Sequence, residues 1–145
     1  SGGLLALVEF GDPIRVLPPE VDLGRPGIWD RLDAAWSSWF AAMRAELPGA
    51  VDSDPYPDML AAAGFDVVVD EMLTLQLDPP LTEPARQFAR RQLTRAGTQI
   101  ARHADPADLA AIEPLLAEGS PDSIVRRPDT FIRASRHLYI GRVPA

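Results

Sequence analysis

The spacing of hydrophobic and polar positions along the chain predicts alternating strands and helices. A continuous apolar run from Leu4 to Phe10, flanked by glycines on both sides, is typical of a strand buried on both faces of a parallel sheet. Two later segments, Phe65–Leu77 and Phe131–Val143, are rich in β-branched residues or end in a terminal apolar run, and both are predicted strands. The chain is therefore expected to have an α/β fold.

The segments between these strands have helical periodicity or helix-boundary signals. From about Ile28 to Leu47, one stripe roughly 100° wide carries the large apolar side chains, which are Trp29, Leu32, Trp36, Trp39, Phe40, Met43 and Leu47. Caps, first-turn prolines and terminal glycines predict three further helices, which are one from Asp54 or Pro55 to Ala63, then Thr82–Ala104 and Asp105–Glu118. Before the first helix, residues 12–27 are rich in proline and glycine and are predicted to form a long loop, of the kind that usually acts as a lid or binding loop.

Composition and charge narrow the class of protein. At 145 residues the chain has the size of one domain and can bury a continuous core. It contains no cysteine, which excludes disulfides and thiolate metal sites and fits a cytoplasmic protein. No apolar run approaches the roughly 20 residues that a membrane-spanning helix needs, so no membrane partner is expected. The net charge of -7 disfavours a nucleic-acid partner.

Three short motifs follow one another along the chain. They are Gly2–Glu9, then Leu60–Phe65 within the segment Tyr56–Val68, and finally Leu138–Arg142. Together they resemble the C-terminal portion of class I (Rossmann-like) S-adenosylmethionine-dependent methyltransferases. The first is similar to the family's P-G-G-x-L-x-L-x-E start of the fifth strand, with Ser1 where proline is usual. The second is similar to the L-x-x-A-G-F turn into the sixth strand, and the third to the seventh strand, which runs antiparallel beside the fifth.

The resemblance implies a partial doubly wound methyltransferase fold that comprises the fifth, sixth and seventh strands. Residues 1–145 would form a single domain, with largely helical insertions at Gly11–Gly49 and Thr82–Thr130 that cover the substrate. The family holds S-adenosylmethionine with a glycine-rich turn between a strand and a helix. Gly24-x-x-Gly27 lies in a proline-flanked loop instead, so the cofactor-binding N-terminal half is expected to be absent and the chain inactive alone.

The resemblance implies methyl transfer to a small-molecule acceptor, and the sequence offers two sets of acceptor-binding candidates. The aromatic residues Trp29, Trp36, Trp39 and Phe40 could form a wall for a flat or apolar acceptor; alternatively they are the core-facing side of a helix. Glu9 lies at the end of a strand predicted to be buried and Asp12 just follows it, and the C-terminal ends of strands in open α/β sheets face the ligand crevice. Alternatively, Glu9 is solvated or pairs with Arg15.

Other chemistry has less support. His103 and His137 lack metal-ligand spacing, so no metal site is expected, and no serine lies in a nucleophile-elbow motif. The arginines of Thr82–Ala104 form either an anion-binding patch or a solvated helix face. A rival interpretation is a non-catalytic module that binds a hydrophobic ligand or a second chain. The apolar first strand lacks its usual neighbour, so a homodimer is expected.

Overall fold

The α/β prediction is confirmed by a computed structural model, which describes residues 2–21, 23–48 and 55–144. Within these ranges the elements are β1 (Leu4–Phe10), α1 (Ile28–Ala45), α2 (Tyr56–Ala62), β2 (Asp66–Leu77), α3 (Glu83–Ile100), α4 (Pro106–Leu116) and β3 (Ile132–Arg142). Each corresponds to a predicted strand or helix, and the bounds differ by a few residues at most. Of the two predicted starts of the second helix, Asp54 lies outside the described residues, and Pro55 is the N-cap of α2. No described helix has the length and apolar character required to cross a membrane.

The three strands form one sheet in the order β1-β3-β2. β1 pairs antiparallel with β3, from Leu4 opposite Arg142 to Phe10 opposite Arg136, which confirms the prediction that the first and last strands are antiparallel neighbours. On the other side of β3, Phe65 lies against Gly141 and Asp70 contacts His137. Because residue numbers rise along one strand as they fall along the other, β2 is also antiparallel to β3. β3 therefore lies between two strands that run parallel to each other.

The chain divides into two compact units, and the prediction of a single domain stays a prediction. The sheet unit comprises Ser1–Pro13, Gly49–Leu75 and Ala134–Ala145, and it contains β1, α2 and most of β2 and β3. The helical unit comprises Ile14–Pro48 and Gln76–Arg133, and it contains α1, α3 and α4.

The helical unit has the main apolar core. α3 packs against both α1 and α4. The buried side chains are Val16, Leu17, Ile28, Leu32, Ala35, Leu81, Ala89, Leu93, Ile100, Ile112, Leu115, Ile124 and Ile132. Val16 and Leu17 come from the predicted loop, and the backbone there pairs with the start of β3: Arg15 and Arg133 exchange N–H···O hydrogen bonds of 2.9 Å in both directions. This part of the loop is therefore a structural segment and not a lid open to solvent.

In the sheet unit, the turn from α2 to β2 accounts for the L-x-x-A-G-F motif. Gly64 has φ 86°, its N–H donates to Ala61 O over 3.0 Å, and the N–H of Phe65 donates to Leu60 O over 2.9 Å. These two bonds form a Schellman motif, in which glycine is favoured because the left-handed conformation costs other residues energy. Phe65 then packs on the backbone at Gly141, where a Cβ atom would come within 2.9 Å of the Phe65 Cβ.

The prediction that β1 is buried on both faces is wrong for the described residues. Leu4, Val8 and Phe10 have 67%, 61% and 78% of their surface exposed. All three project from the same face of the sheet because side chains alternate along a strand. β1 is an edge strand, and no described residue covers this face well enough to bury them. The apolar run correctly predicts a strand but not its burial.

Candidate functional site

The predicted aromatic residues of α1 separate into two groups. Trp36 and Trp39 are partly buried against the core of the helical unit, with ring centroids 4.8 Å apart. Phe40 lies 6.4 Å from Trp39 and is exposed. These three side chains thus form one cluster on the helix. Trp29, in the first turn of α1, also packs against the core but lines a pocket.

One pocket in the helical unit has a volume of about 260 Å³ and is built from three segments of the chain. The loop before α1, the first turn of α1 and the start of β3 contribute its walls, which consist of Arg15, Leu17, Pro19, Trp29, Asp30, Phe131 and Arg133. The backbone pairing of Arg15 with Arg133 fixes two of these segments to each other. The pocket is therefore a concavity lined by both apolar and charged side chains.

Each arginine of the pocket is associated with an aromatic ring. The guanidinium carbon of Arg15 lies 6.0 Å from the Trp29 ring centroid, and that of Arg133 lies 5.6 Å from the Phe131 ring centroid. Arg15 Nη1 also donates to Asp33 Oδ1 over 2.9 Å. By contrast, Arg133 forms no ion pair with any residue in the ranges that the structure describes. Guanidinium groups held over rings are oriented donors for an anionic ligand.

Trp29 also has an unsatisfied polar atom. Its indole Nε1 is buried and has no hydrogen-bond partner among the described residues. A buried donor without an acceptor costs free energy, and native structures contain few of them. Because this nitrogen has almost no accessible surface, a ligand in the pocket does not reach it in this arrangement of side chains.

Two arginines anchor the start of α1, which carries Trp29. Asp108 of α4 accepts hydrogen bonds from Arg31 Nε over 2.7 Å and from Arg25 Nη2 over 3.0 Å. Arg31 also donates to the carbonyl of Pro26, two residues before the helix. The hydrogen bonds from Arg31 are the main reason that the pKa of Asp108 falls from 3.8 to about 2, with a further contribution from Arg25 and opposition from burial. The ion pairs connect α1 and its preceding loop to α4.

The predicted carboxylates of the sheet unit are held by hydroxyl groups. Tyr56 Oη donates to Glu9 Oε1 over 2.9 Å. The backbone N–H of Asp12 donates to Ser135 Oγ over 2.6 Å, and Ser135 Oγ lies 3.1 Å from Asp12 Oδ2. Ser135 is buried, so Asp12 fixes the end of β1 to β3. Glu9 and Asp12 belong to the sheet unit, whereas Trp29, Trp36, Trp39 and Phe40 belong to the helical unit.

The structure brings together a set of polar and aromatic residues that the sequence analysis did not recognise. His137 stacks on Tyr139 with ring centroids 4.2 Å apart, and Tyr139 lies 5.4 Å from Tyr56. His137 Nε2 is 2.5 Å from Asp70 Oδ1. Burial raises the pKa of Tyr139, and the negative charges of Asp70 and Glu9 raise it further. In the sequence, this cluster is indicated only by the spacing of His137 and Tyr139, which places both side chains on one face of a strand. Their partners Tyr56 and Asp70 become apparent only when the pairing of the strands is known.

The arginines of α3 are partly structural. Arg86 donates to the carbonyl oxygens of Leu81 and Val125 over 3.0 and 2.8 Å. Arg90 donates to Leu116 O over 3.2 Å and pairs with Glu118. These two side chains thus satisfy carbonyl groups in the loops around α3 and at the end of α4.

The described residues do not form the kind of binding site that holds S-adenosylmethionine in the methyltransferase family. Gly24 and Gly27 have positive φ and precede α1, but a loop and not a strand leads into them, since β1 ends at Phe10. The strand-turn-helix cradle for the cofactor is therefore missing from the described segments. Among the same residues, no three His, Asp or Glu side chains are grouped so that they could hold a metal ion.

Comparison with known proteins adds no family assignment. No family model matches the chain, and no curated protein or solved structure matches it significantly. A functional hypothesis therefore depends on the motifs and on the contacts of this chain.

Proposed function

We propose that the chain is the acceptor-side part of an S-adenosylmethionine-dependent methyltransferase that acts on a small molecule. The observation that carries this proposal is the antiparallel pairing of β3 with β1. The seventh and fifth strands of the family are neighbours of this kind, and the matching motifs lie on these two strands. The Schellman turn at Gly64 supports the second motif, because it gives a physical reason for its glycine.

In this proposal the pocket of the helical unit holds the acceptor. Most of its wall residues, including Trp29, lie within Gly11–Gly49, one of the two regions that the resemblance identifies as substrate-covering insertions, and Phe131 directly follows the other, Thr82–Thr130. Methyl transfer is an in-line displacement whose rate depends strongly on proximity and orientation. The contribution of these residues would be to bind the acceptor, orient it and exclude water.

The cofactor would be held by residues outside this chain, because the described residues do not fit it. When bound, it supplies the methyl group. No catalytic residue is assigned within the chain, and the isolated chain is expected to have no methyltransferase activity.

The proposal is tested on the product of the complete reading frame that encodes this chain. We expect that product to bind S-adenosylmethionine in calorimetry and to transfer a labelled methyl group to a member of a small-molecule panel. The isolated chain should do neither. A folded full-length product that fails to bind S-adenosylmethionine would contradict the proposal.

A non-catalytic binding or dimerisation module is the second candidate, and the exposed face of β1 favours it. Leu4, Val8 and Phe10 present an apolar surface next to a free strand edge, which invites association with another chain. The two candidates differ in their response to S-adenosylmethionine. A native protein that begins near Ser1, self-associates and ignores the cofactor would favour the module.

A further inference from the structure

The outer face of α3 carries an arginine row, which consists of Arg91, Arg95 and Arg102. The first two lie in α3 and the third in the turn that follows it, and their spacing of four and seven residues places them on one side of a helix. All three are exposed, whereas α3 packs against α1 and α4 through its other sides. None of the three side chains forms an ion pair with a residue in the part of the chain that the structure describes.

The other two arginines of α3 have structural roles that the arginine row lacks. Arg86 donates hydrogen bonds to the carbonyl oxygens of Leu81 and Val125, and Arg90 donates to that of Leu116. Both side chains are partly buried. Packing of the helical unit therefore accounts for Arg86 and Arg90 and does not account for the arginine row.

The sign of the charges on this face differs from that of the chain as a whole. Residues 83–104 contain five of the 14 basic residues but only one of the 21 acidic residues. A solvated helix face is typically stabilised by opposite charges three or four positions apart. Arg91 and Arg95 instead have each other at this spacing, and no residue three or four positions from either is acidic. Like charges so placed destabilise a helix, which is explained if a second molecule supplies the carboxylates.

The side chains between the arginines add no competing charge. The hydroxyl of Thr94 donates to the carbonyl of Arg90 over 2.9 Å, and that of Thr98 donates to the carbonyl of Thr94 over 3.0 Å. These protons are satisfied within the helix, so the guanidinium groups are the free donors of the face. Guanidinium groups bind carboxylates and phosphates through charge-assisted hydrogen bonds.

The dimensions of the arginine row favour carboxylates on a narrow partner. At about 1.5 Å per residue the row is about 16 Å long, and it is one helix wide. A second helix with acidic residues at the same spacing matches these dimensions. A nucleic-acid duplex or a bilayer is much larger than the row and would also approach the acidic residues that predominate in the rest of the chain.

We infer that the arginine row is a docking surface for an acidic helical segment of a partner protein, whose carboxylates pair with Arg91, Arg95 and Arg102. The inference concerns a surface that neither candidate function uses, and it holds or fails independently of S-adenosylmethionine.

The test measures binding of a fluorescently labelled helical peptide, whose glutamates have the spacing of the three arginines, by anisotropy at low ionic strength. A peptide with glutamine in place of each glutamate is the control ligand. We expect the wild-type chain to bind the glutamate peptide more tightly than the glutamine peptide, and added salt to weaken this binding. The double variant Arg91→Gln/Arg95→Gln should bind the glutamate peptide about tenfold more weakly, because two ion pairs are lost.

The double variant Arg126→Gln/Arg142→Gln is the matched control, because it removes the same charge from exposed positions outside α3. It should bind the glutamate peptide nearly as well as the wild type, and circular dichroism checks that both variants are folded. Equal binding of the two peptides by the wild type, or equal losses in the two variants, would overturn the inference. Tighter binding to double-stranded RNA or to phosphatidylserine vesicles than to the glutamate peptide would also overturn it. So would loss of self-association in Arg91→Gln/Arg95→Gln, because the row would then be a contact between copies of this chain.

Discussion

At the scale of single residues, Asp108 shows how a charge can be kept inside this protein. Only 2% of its surface is exposed, yet it remains ionised because Arg31 and Arg25 both donate hydrogen bonds to it. A buried carboxylate without such partners would be protonated or would destabilise the fold. The residue therefore contributes to stability through its charge, and that contribution depends on pH.

We expect Asp108→Asn to lower the free energy of unfolding by about 2 kcal/mol near neutral pH, because two arginines lose their carboxylate. The folded-state pKa of about 2 lies below the ordinary value of 3.8. The stabilisation is therefore fully present above about pH 4 and is lost as the pH falls towards about 2. Urea unfolding between these pH values measures the effect.

Glu20→Gln, at an exposed position of the same unit, is the control for this substitution and should change the stability little. If Asp108→Asn has the same acid sensitivity as the wild type between pH 4 and pH 2, the ion pairs do not stabilise the fold in the way described.

Residues such as Asp108 also show where prediction from the sequence ends. Asp105 and Pro106 correctly predict the start of α4, because capping depends on neighbouring residues. The partner Arg31 is 77 positions away from Asp108, and no local pattern relates the two. The same limit applies to Trp29, which has the helical periodicity of Trp36 but lines a pocket made by distant segments.

At the scale of elements, the link between α2 and β2 depends on one backbone conformation. Gly64 ends α2 with φ 86°, and a Cβ atom at this position would meet no atom within 4 Å. Any cost of a side chain there thus comes from the backbone and not from crowding. Gly119 also has open space around its Cβ position but has no positive φ.

We expect Gly64→Ala to destabilise the chain by about 1 kcal/mol, which is the cost of placing a residue with a Cβ atom in the left-handed region. Gly119→Ala, as the matched control, should change the stability by much less. Thermal or chemical unfolding of both variants makes the comparison. Equal effects of the two substitutions would show that the conformation of Gly64 is not required.

The elements themselves were largely predictable from the sequence. β1 occupies the predicted range, and α1 ends at Ala45, two residues before the predicted end at Leu47. These elements have strong periodicity and clear boundary residues. The exposure of β1 was not predictable. An apolar strand is expected to pack against other residues, but its sequence does not show which residues those are or whether this chain contains them. The sheet order was expected only through the family resemblance, since local patterns contain no information about strand neighbours.

At the scale of the whole molecule, β1 and β2 are both edge strands of the described sheet, and β1 is the one whose pairing with β3 shows which of its backbone groups point outward. Gly11 N–H donates to Ser135 O, and Gly3 O accepts from Val143 N–H, so the odd-numbered residues of β1 face β3. The backbone groups of the even-numbered residues, including Ala6, therefore point away from β3. A second β1 strand could pair there about a two-fold axis at Leu7 and would place Phe10 opposite Leu4 of its partner.

We expect the isolated chain to form a homodimer through this edge, measured as mass by light scattering. Ala6→Pro should shift the equilibrium to monomer, because proline removes an outward N–H group without breaking a hydrogen bond to β3. Met72→Lys, which alters an exposed apolar position on β2, should leave the dimer intact. A monodisperse monomer for the wild-type chain would contradict this prediction.

The exposed side chains of β1 also determine how such an association would respond to temperature. Lateral contact of Leu4, Val8 and Phe10 with the same side chains of the partner strand removes part of their apolar surface from water, which gives association a negative heat capacity change. The hydrophobic driving force weakens on cooling and strengthens in sulfate. Dimers should therefore dissociate as a sample is cooled from about 25 °C to about 4 °C and reform on warming or on addition of ammonium sulfate. An interface that depended mainly on surface charges would respond to salt in the opposite sense.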